Sequence, residues 1–309
     1  MMTFPQIKSV LRAFGKRLLD RTLAVMVKLL IRLARLFDPD RLADFAGWFM
    51  RTLGPRLREH RIARDNLVAA FPDKSAAEID AILMESWDNL GRVGAEFAHL
   101  DRLWQFDPDH PERGRVEVSP ESDRRFVSMR DDGKPALIFA AHIGNWELPA
   151  LAAPLYDFES TVLFRPPNIA SFDRIVQDIR GTNMGEMVAT SPSAPLRLIA
   201  ALKRGSHVAM LVDQHFGRGV EVTFLGRRTR ANPLLARLAQ HVDCPIYGVR
   251  IIRLPNHCFR AELTEEIQPV RDASGAIDVV ATTQVINDVV EGWIREYPGQ
   301  WLWQHRRWK

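Results

Sequence analysis

Apolar positions along this chain change their spacing twice. In residues 15–37, "GKRLLDRTLAVMVKLLIRLARLF", Leu19, Leu23, Met26, Val27, Leu30, Leu33, Ala34 and Phe37 recur at helical steps. Arg17, Arg21, Lys28, Arg32 and Arg35 follow one another at steps of 4, 7, 4 and 3, which gathers them on one helix face. From about residue 40 to residue 105 the helical period continues. "DRLADFAGWFMRTLG" ends at a glycine, and "SAAEIDAILMESWDNLGRVGAEFAHL" opens on Ser75 with Glu78 three residues later, the pattern of a capping box. Between about Trp104 and Glu121 the chain turns polar, carries Pro108, Pro111 and Pro120, and reads as a connector.

After Gly133-Lys134-Pro135 the apolar runs become short. "PALIFAAH", "STVLFR", "HVAMLVD", "CPIYGVRII" and "CFRAELTE" read as strands. The stretches "SFDRIVQDIR", "APLRLIAALKRG" and "NPLLARLAQHV" between them read as helices. This alternation predicts an α/β fold with a mostly parallel or mixed sheet flanked by helices. The expected organisation is a basic amphipathic segment over residues 1–40, then a domain over 41–309. That domain has a helical start to about residue 105 and an α/β core over about 116–309.

Charge sharpens this division. The net charge is +4, yet residues 1–64 hold 14 Lys and Arg against 5 Asp and Glu, so the remainder is net acidic. A membrane span needs about 20 apolar residues with few charges, and Lys28, Arg32 and Arg35 interrupt this one. Each would cost roughly 2.5–3.5 kcal/mol at a bilayer centre. A helix lying in the interface, with its cations toward anionic head groups, fits better than a span; a solvated helix packed on the domain is the alternative. No small-residue cleavage site follows it, so it does not read as a signal peptide. Removing residues 1–37 is therefore expected to release the protein from membranes.

The two cysteines, Cys244 and Cys258, suit neither a disulfide framework nor a zinc site, and they point to a reducing compartment. No GxSxG elbow, GxxxxGK[ST] or GxGxxG loop, HExxH motif or paired carboxylates occur. The ending "QWLWQHRRWK" mixes tryptophans and cations in a way that suits a membrane interface or an acidic partner. Nucleic acid is disfavoured, because most of the chain is net acidic and carries no such motif.

Chemistry concentrates in "AAHIGNWELP", residues 140–149, between a predicted strand and a predicted helix. Reactive groups in α/β sheets collect beyond the carboxyl ends of strands, and His142 stands there. Five residues separate it from Glu147, about 140° around a continuous helix, but a turn at Gly144 lets the carboxylate reach back to the imidazole. A carboxylate on one ring nitrogen makes the other a better base toward a hydroxyl. A satisfied structural histidine is the alternative on spacing alone.

"AAHIGNWE" resembles the Hxxxx[D/E] block of the glycerolipid acyltransferase superfamily, and more closely the HxGNWE form of the lipid A biosynthesis late acyltransferases. "NLVAAFPDKS", "LFRPPNIASFDRIVQDIRG", "LKRGSHVAMLVDQHFGRGVEVTFLGR" and "WIREYPGQWLWQHRRWK" resemble further blocks of that family in the same order. The resemblance runs from about residue 60 to the end. It implies an O-acyltransferase with His142 as general base oriented by Glu147, and a lipid A precursor hydroxyl attacking the thioester of an acyl carrier protein or coenzyme A. It also implies a place on the cytoplasmic face of the inner membrane, whether peripheral, monotopic or single-span, and no metal or redox cofactor. Asn145 is expected to steady the oxyanion or the local turn. Arg165, Asn168, Arg180, Asp213 and Gln214 are expected to bind substrate, the two arginines through phosphate or phosphopantetheine; Asp213 and Gln214 should open onto the same sheet edge, where Asp213 would orient an arginine or a substrate hydroxyl. Glu221 is a weaker candidate. The family's transmembrane start is clearer than residues 15–37 are here. Rival expectations are an acyltransferase for another glycolipid or an aminolipid, and a non-catalytic lipid-binding relative.

Overall fold

The computed structural model describes residues 20, 22–23, 25–106, 114–166, 179–180 and 184–309, apart from the side chains of 154 and 155. Residues 25–34 form helix α1. Helix α2 (Pro39–Leu53) starts where Asp38 accepts the backbone N–H groups of Asp40 and Arg41, with proline at the first helical position. Helix α3 spans Arg58–Ala70 and α4 spans Ala76–Glu96. The capping box that begins α4 forms as its sequence predicts: Ser75 Oγ accepts from Glu78 N at 3.3 Å, and Glu78 Oε2 accepts from Ser75 N at 2.8 Å. Helices α2 and α4 lie close together, because Gly91 brings α4 against the backbone of Ala46; a Cβ at Gly91 would overlap that carbonyl. A short helix, α5 (Leu100–Leu103), ends this helical part.

The α/β part is built on a seven-stranded sheet, in the order β1-β9-β8-β2-β5-β3-β4. Its strands are β1 (Val116–Val118), β2 (Leu137–Ala140), β3 (Ser160–Phe164), β4 (Glu186–Ala189), β5 (His207–Leu211), β8 (Ile246–Arg253) and β9 (Phe259–Leu263). The five from β8 to β4 run parallel; β9 pairs antiparallel with β8 and parallel with β1, so the sheet is mixed. Strands β6 (Val220–Phe224) and β7 (Arg227–Ala231) form a separate hairpin, in which Glu221 pairs with Arg228 on an exposed face. Helices α6 (Pro120–Asp131), α7 (Leu148–Leu155), α8 (Ala194–Lys203), α9 (Leu234–His241) and α10 (Val279–Glu296) complete the described elements. All five predicted strands form. The supposed connector holds β1, a three-residue edge strand too short for an alternating pattern to show. The helix predicted over "SFDRIVQDIR" lies outside the described residues except at 179–180, which are helical.

The tail differs from its expectation. Trp301 and Trp303 are buried to 1% and 0% exposure, and Arg307 is fully buried. A tight turn, in which Trp303 N donates to Trp301 O at 3.0 Å, carries both indoles into the core, where Ser86 donates to Trp301 O and Asn66 to Trp303 O. Arg307 donates to Asn287 Oδ1 and Arg230 O, and burial pushes its pKa down to about 10. These groups close the fold and do not face a membrane. Among the described residues no helix is long and apolar enough to cross a membrane.

Candidate active site

Beyond Ala140 the chain leaves β2 and is clamped from two sides. Ile143 bridges to Trp301, Gly144 N donates to Gln300 O at 3.0 Å, and Leu302 N donates to His142 O at 3.0 Å. Gly144 has φ +56°, and a Cβ there would overlap the Ile251 carbonyl of β8, so only glycine fits. The imidazole is thus set by backbone on both flanks.

Its partner comes from the neighbouring strand. Parallel pairing places Ala140 opposite Leu211, so two residues farther on His142 meets Asp213. Asp213 Oδ1 accepts from His142 Nδ1 at 2.8 Å, and Oδ2 accepts from His142 N at 2.9 Å and from Trp301 Nε1 at 2.8 Å. Burial by itself would raise the carboxyl pKa, but the charge and hydrogen bonds of His142 outweigh it and hold Asp213 well below the usual carboxylate range. Burial likewise disfavours the imidazolium. The charge and hydrogen bond of Asp213, with the charge of Glu147 behind them, reverse that and raise the His142 pKa. A carboxylate only accepts, so Nδ1 carries the proton and Nε2 keeps its lone pair. Gln214 Nε2 stands 3.3 Å from that nitrogen, and the Trp146 ring packs 5.3 Å from the imidazole.

Glu147 does not hold the imidazole. Arg180 takes it in a two-point ion pair, Nε to Oε2 at 2.8 Å and Nη2 to Oε1 at 2.5 Å, with the guanidinium 5.6 Å over the Phe97 ring. The turn explains this: Asn145 Oδ1 accepts Glu147 N at 3.1 Å and starts α7, while His142 Nδ1 is already occupied. Asn145 is fully buried, and its amide donates to Glu96 Oε2 at 2.7 Å. Glu96 also receives both Nη groups of Arg253, at 2.5 and 2.8 Å; Arg253 Nε reaches Asn89 Oδ1 at 2.9 Å, and Asn89 returns to Gly144 O at 2.9 Å. Sequence reasoning missed Asn89, Glu96, Arg253 and Trp301. They lie in separate elements, and each by itself looks like an ordinary helix, strand or tail residue.

His142, Glu147, Arg165, Arg180 and Gln214 line one cavity of about 700 Å³, a volume typical of a ligand site. Arg165 follows β3, is exposed, and makes no ion pair among the described residues; Asn168 lies outside them. From the carboxyl ends of the strands the cavity runs along one sheet face, under α6 and α7, to Phe126, Met129, Phe158 and His207. His207 to Val212 alone is roughly 17 Å of strand at about 3.3 Å per residue. The walls are mostly apolar and the cations stand at the mouth. Among the described residues no cluster of His, Cys, Asp or Glu could hold a metal ion.

A long apolar cavity in an α/β sheet, opening beside a hydrogen-bonded histidine, fits the class of acyltransferases. The sequence model described as "Bacterial lipid A biosynthesis acyltransferase" matches residues 14–309, and the chain belongs to that family. It is similar to the lipid A biosynthesis palmitoleoyltransferase of Escherichia coli (strain K12), with 24% identity over 262 residues, 82% of this chain and 79% of that protein. The lipid A biosynthesis acyltransferase of Shigella flexneri shows the same identity and coverage. The chain is an acyltransferase whose family supports acyl transfer to lipid A.

Proposed function

We propose that the protein transfers a fatty acyl chain from an acyl carrier protein thioester to a hydroxyl of a lipid A precursor, at the cytoplasmic face of the inner membrane. The observation that carries this reading is the His142–Asp213 pair, whose Nε2 opens on the apolar cavity. The acyl chain lies along the sheet with its thioester carbonyl at the mouth. His142 Nε2 takes the acceptor hydroxyl's proton, the oxygen bonds to the carbonyl carbon, and the C–S bond breaks as the tetrahedral adduct collapses. The proton on Nε2 returns to the departing thiolate. Asp213 fixes the tautomer and stabilises the imidazolium formed in between. Arg165 and Arg180 meet phosphate on the donor or the acceptor, Arg180 while held by Glu147. Asn168, between them in sequence, is a further candidate for substrate contact. The basic N-terminal segment would keep this mouth near a lipid surface.

Purified protein is to be mixed with a tetraacylated, Kdo-bearing lipid A precursor and acyl carrier protein thioesters of several lengths, and the product weighed by mass spectrometry. The expected result is a gain of one acyl group, reduced by about two to four orders of magnitude in kcat/KM in His142→Ala and Asp213→Asn. No gain with any thioester from folded protein would overturn the reading. A gain only on another glycolipid or on an aminolipid would overturn the acceptor.

A further inference from the structure

Phe45, Trp48 and Phe49 lie one helical turn or less apart on α2 and are 58%, 53% and 43% exposed. Their rings form a single patch, with Phe45 5.7 Å from Trp48 and 6.2 Å from Phe49. They are not displaced core residues. α2 already buries its other face, at Ala43 and Gly47, against α4. On the other side of the Asp38 cap, Leu36 and Phe37 are exposed as well. A contiguous exposed apolar surface of this kind marks an interaction site, unlike scattered single side chains.

Charge selects the partner. Arg41 stands one turn before Phe45 on the same stripe, Arg56 one turn past Thr52, and both are exposed. Two nearby acids are already paired: Asp40 receives both Nη groups of Arg115 at 2.6 and 2.8 Å, and Asp44, itself half-exposed, pairs with Arg92 at 2.7 Å. The outward stripe therefore runs from Arg41 through the aromatic patch to Arg56 in the turn that follows α2, and the acid on it, Asp44, is neutralised by Arg92. Aromatic rings suit the depth of the lipid head groups, and arginines beside them reach the phosphates. Arg35 contributes elsewhere: it donates twice to Asp101, at 2.8 Å each, and to Ala98 O, and so fastens the end of α1 to the domain. This differs from the lipid-facing place its spacing predicted.

We propose that α2 of the folded domain is itself a membrane-docking element, laying Phe45, Trp48 and Phe49 into the interface of an anionic bilayer with Arg41 and Arg56 on its phosphates. This contact is separate from the basic segment before it, so release on removing residues 1–37 would be partial, not complete. It also does not rest on the acyl-transfer chemistry.

The test uses the full chain and vesicles of phosphatidylcholine with or without phosphatidylglycerol. The exposed triple change Phe45→Ser, Trp48→Ser, Phe49→Ser should leave circular dichroism unchanged and weaken vesicle flotation by roughly tenfold or more. Arg41→Glu with Arg56→Glu should weaken it on phosphatidylglycerol vesicles only. Brominated lipids should quench the parent's tryptophan fluorescence more than that of Trp48→Phe. Equal flotation of parent and triple variant, with equal quenching of parent and Trp48→Phe, would overturn the proposal. So would parent dimers in analytical ultracentrifugation that the triple variant dissolves, since the patch would then face a second copy.

Discussion

Asp213 accepts three hydrogen bonds within a few ångströms, two of them from His142 and one from Trp301. Only the neutral imidazole can accept a proton, so kcat/KM should rise with pH through a value above the ordinary histidine 6.5. Asp213→Asn removes the charge that stabilises the imidazolium, and the limb should move to lower pH. Trp301→Phe has the opposite sign: with one donor lost, the buried carboxylate is less neutralised, the imidazolium gains, and the limb should move to higher pH. That change should also cost about 1–3 kcal/mol of stability, for a buried carboxylate oxygen that loses one of its two donors. A pH–rate profile of the three proteins checks both directions, and a Trp301→Phe limb coincident with the parent's would show that the indole only packs. At this scale the sequence showed His142 and the edge position of Asp213 but joined the wrong carboxylate to the imidazole, and it expected Asp213 to meet an arginine or a substrate hydroxyl, whereas its buried oxygens are taken by His142 and Trp301. Glu147 is near in the chain; Asp213, 71 residues from His142, becomes near only when β2 and β5 pair.

Helix α4 is the element that connects the helical part to the site. One face receives α2, and its end carries Glu96 to Asn145 and Arg253. Two of its glycines make a matched test. Gly91 sits where a Cβ would strike the Ala46 carbonyl, whereas Gly94 has open space around the same atom. Gly94→Ala should raise stability by up to about 1 kcal/mol through helix propensity. Gly91→Ala should instead lower it by roughly 1–3 kcal/mol, because α2 must move. Urea unfolding of the two variants reads the difference. The start of α4 was legible because capping is local; its partner was not, because which helix a glycine lets in depends on the crossing.

Over the whole molecule, the proposed function makes the cavity the feature that would select the acyl chain. Its mouth holds the polar groups, and the end away from His142 is lined by Phe126 and Met129 of α6 with Phe158 and His207. Phe158 stands edge-on to the His207 ring, with centroids 4.7 Å apart. Burial lowers the His207 pKa, which keeps this end uncharged. Phe158→Leu should deepen the cavity and shift preference toward a longer thioester than the parent's best, at a stability cost of about 1–2 kcal/mol. Competition between lauroyl, myristoyl and palmitoyl thioesters, read by product mass, gives the answer; an unchanged preference would place the stop elsewhere.

Local chemistry was enough for the sequence to reveal the α/β alternation, the strand after which His142 stands, the Ser75 cap and the basic surplus before residue 65. Each depends on residues within a few turns of one another, where periodicity and hydrogen-bond reach are the same in any fold. Tertiary structure alone decided that Asp213 and not Glu147 holds the imidazole, that Glu147 belongs to Arg180, and that the terminal tryptophans face inward. It also decided that a single cavity runs from the histidine to the far edge of the sheet. Those outcomes follow from strand order and register. The pair Trp301 and Trp303 is plain in the sequence, but only the packed neighbours decide whether those indoles meet core or water.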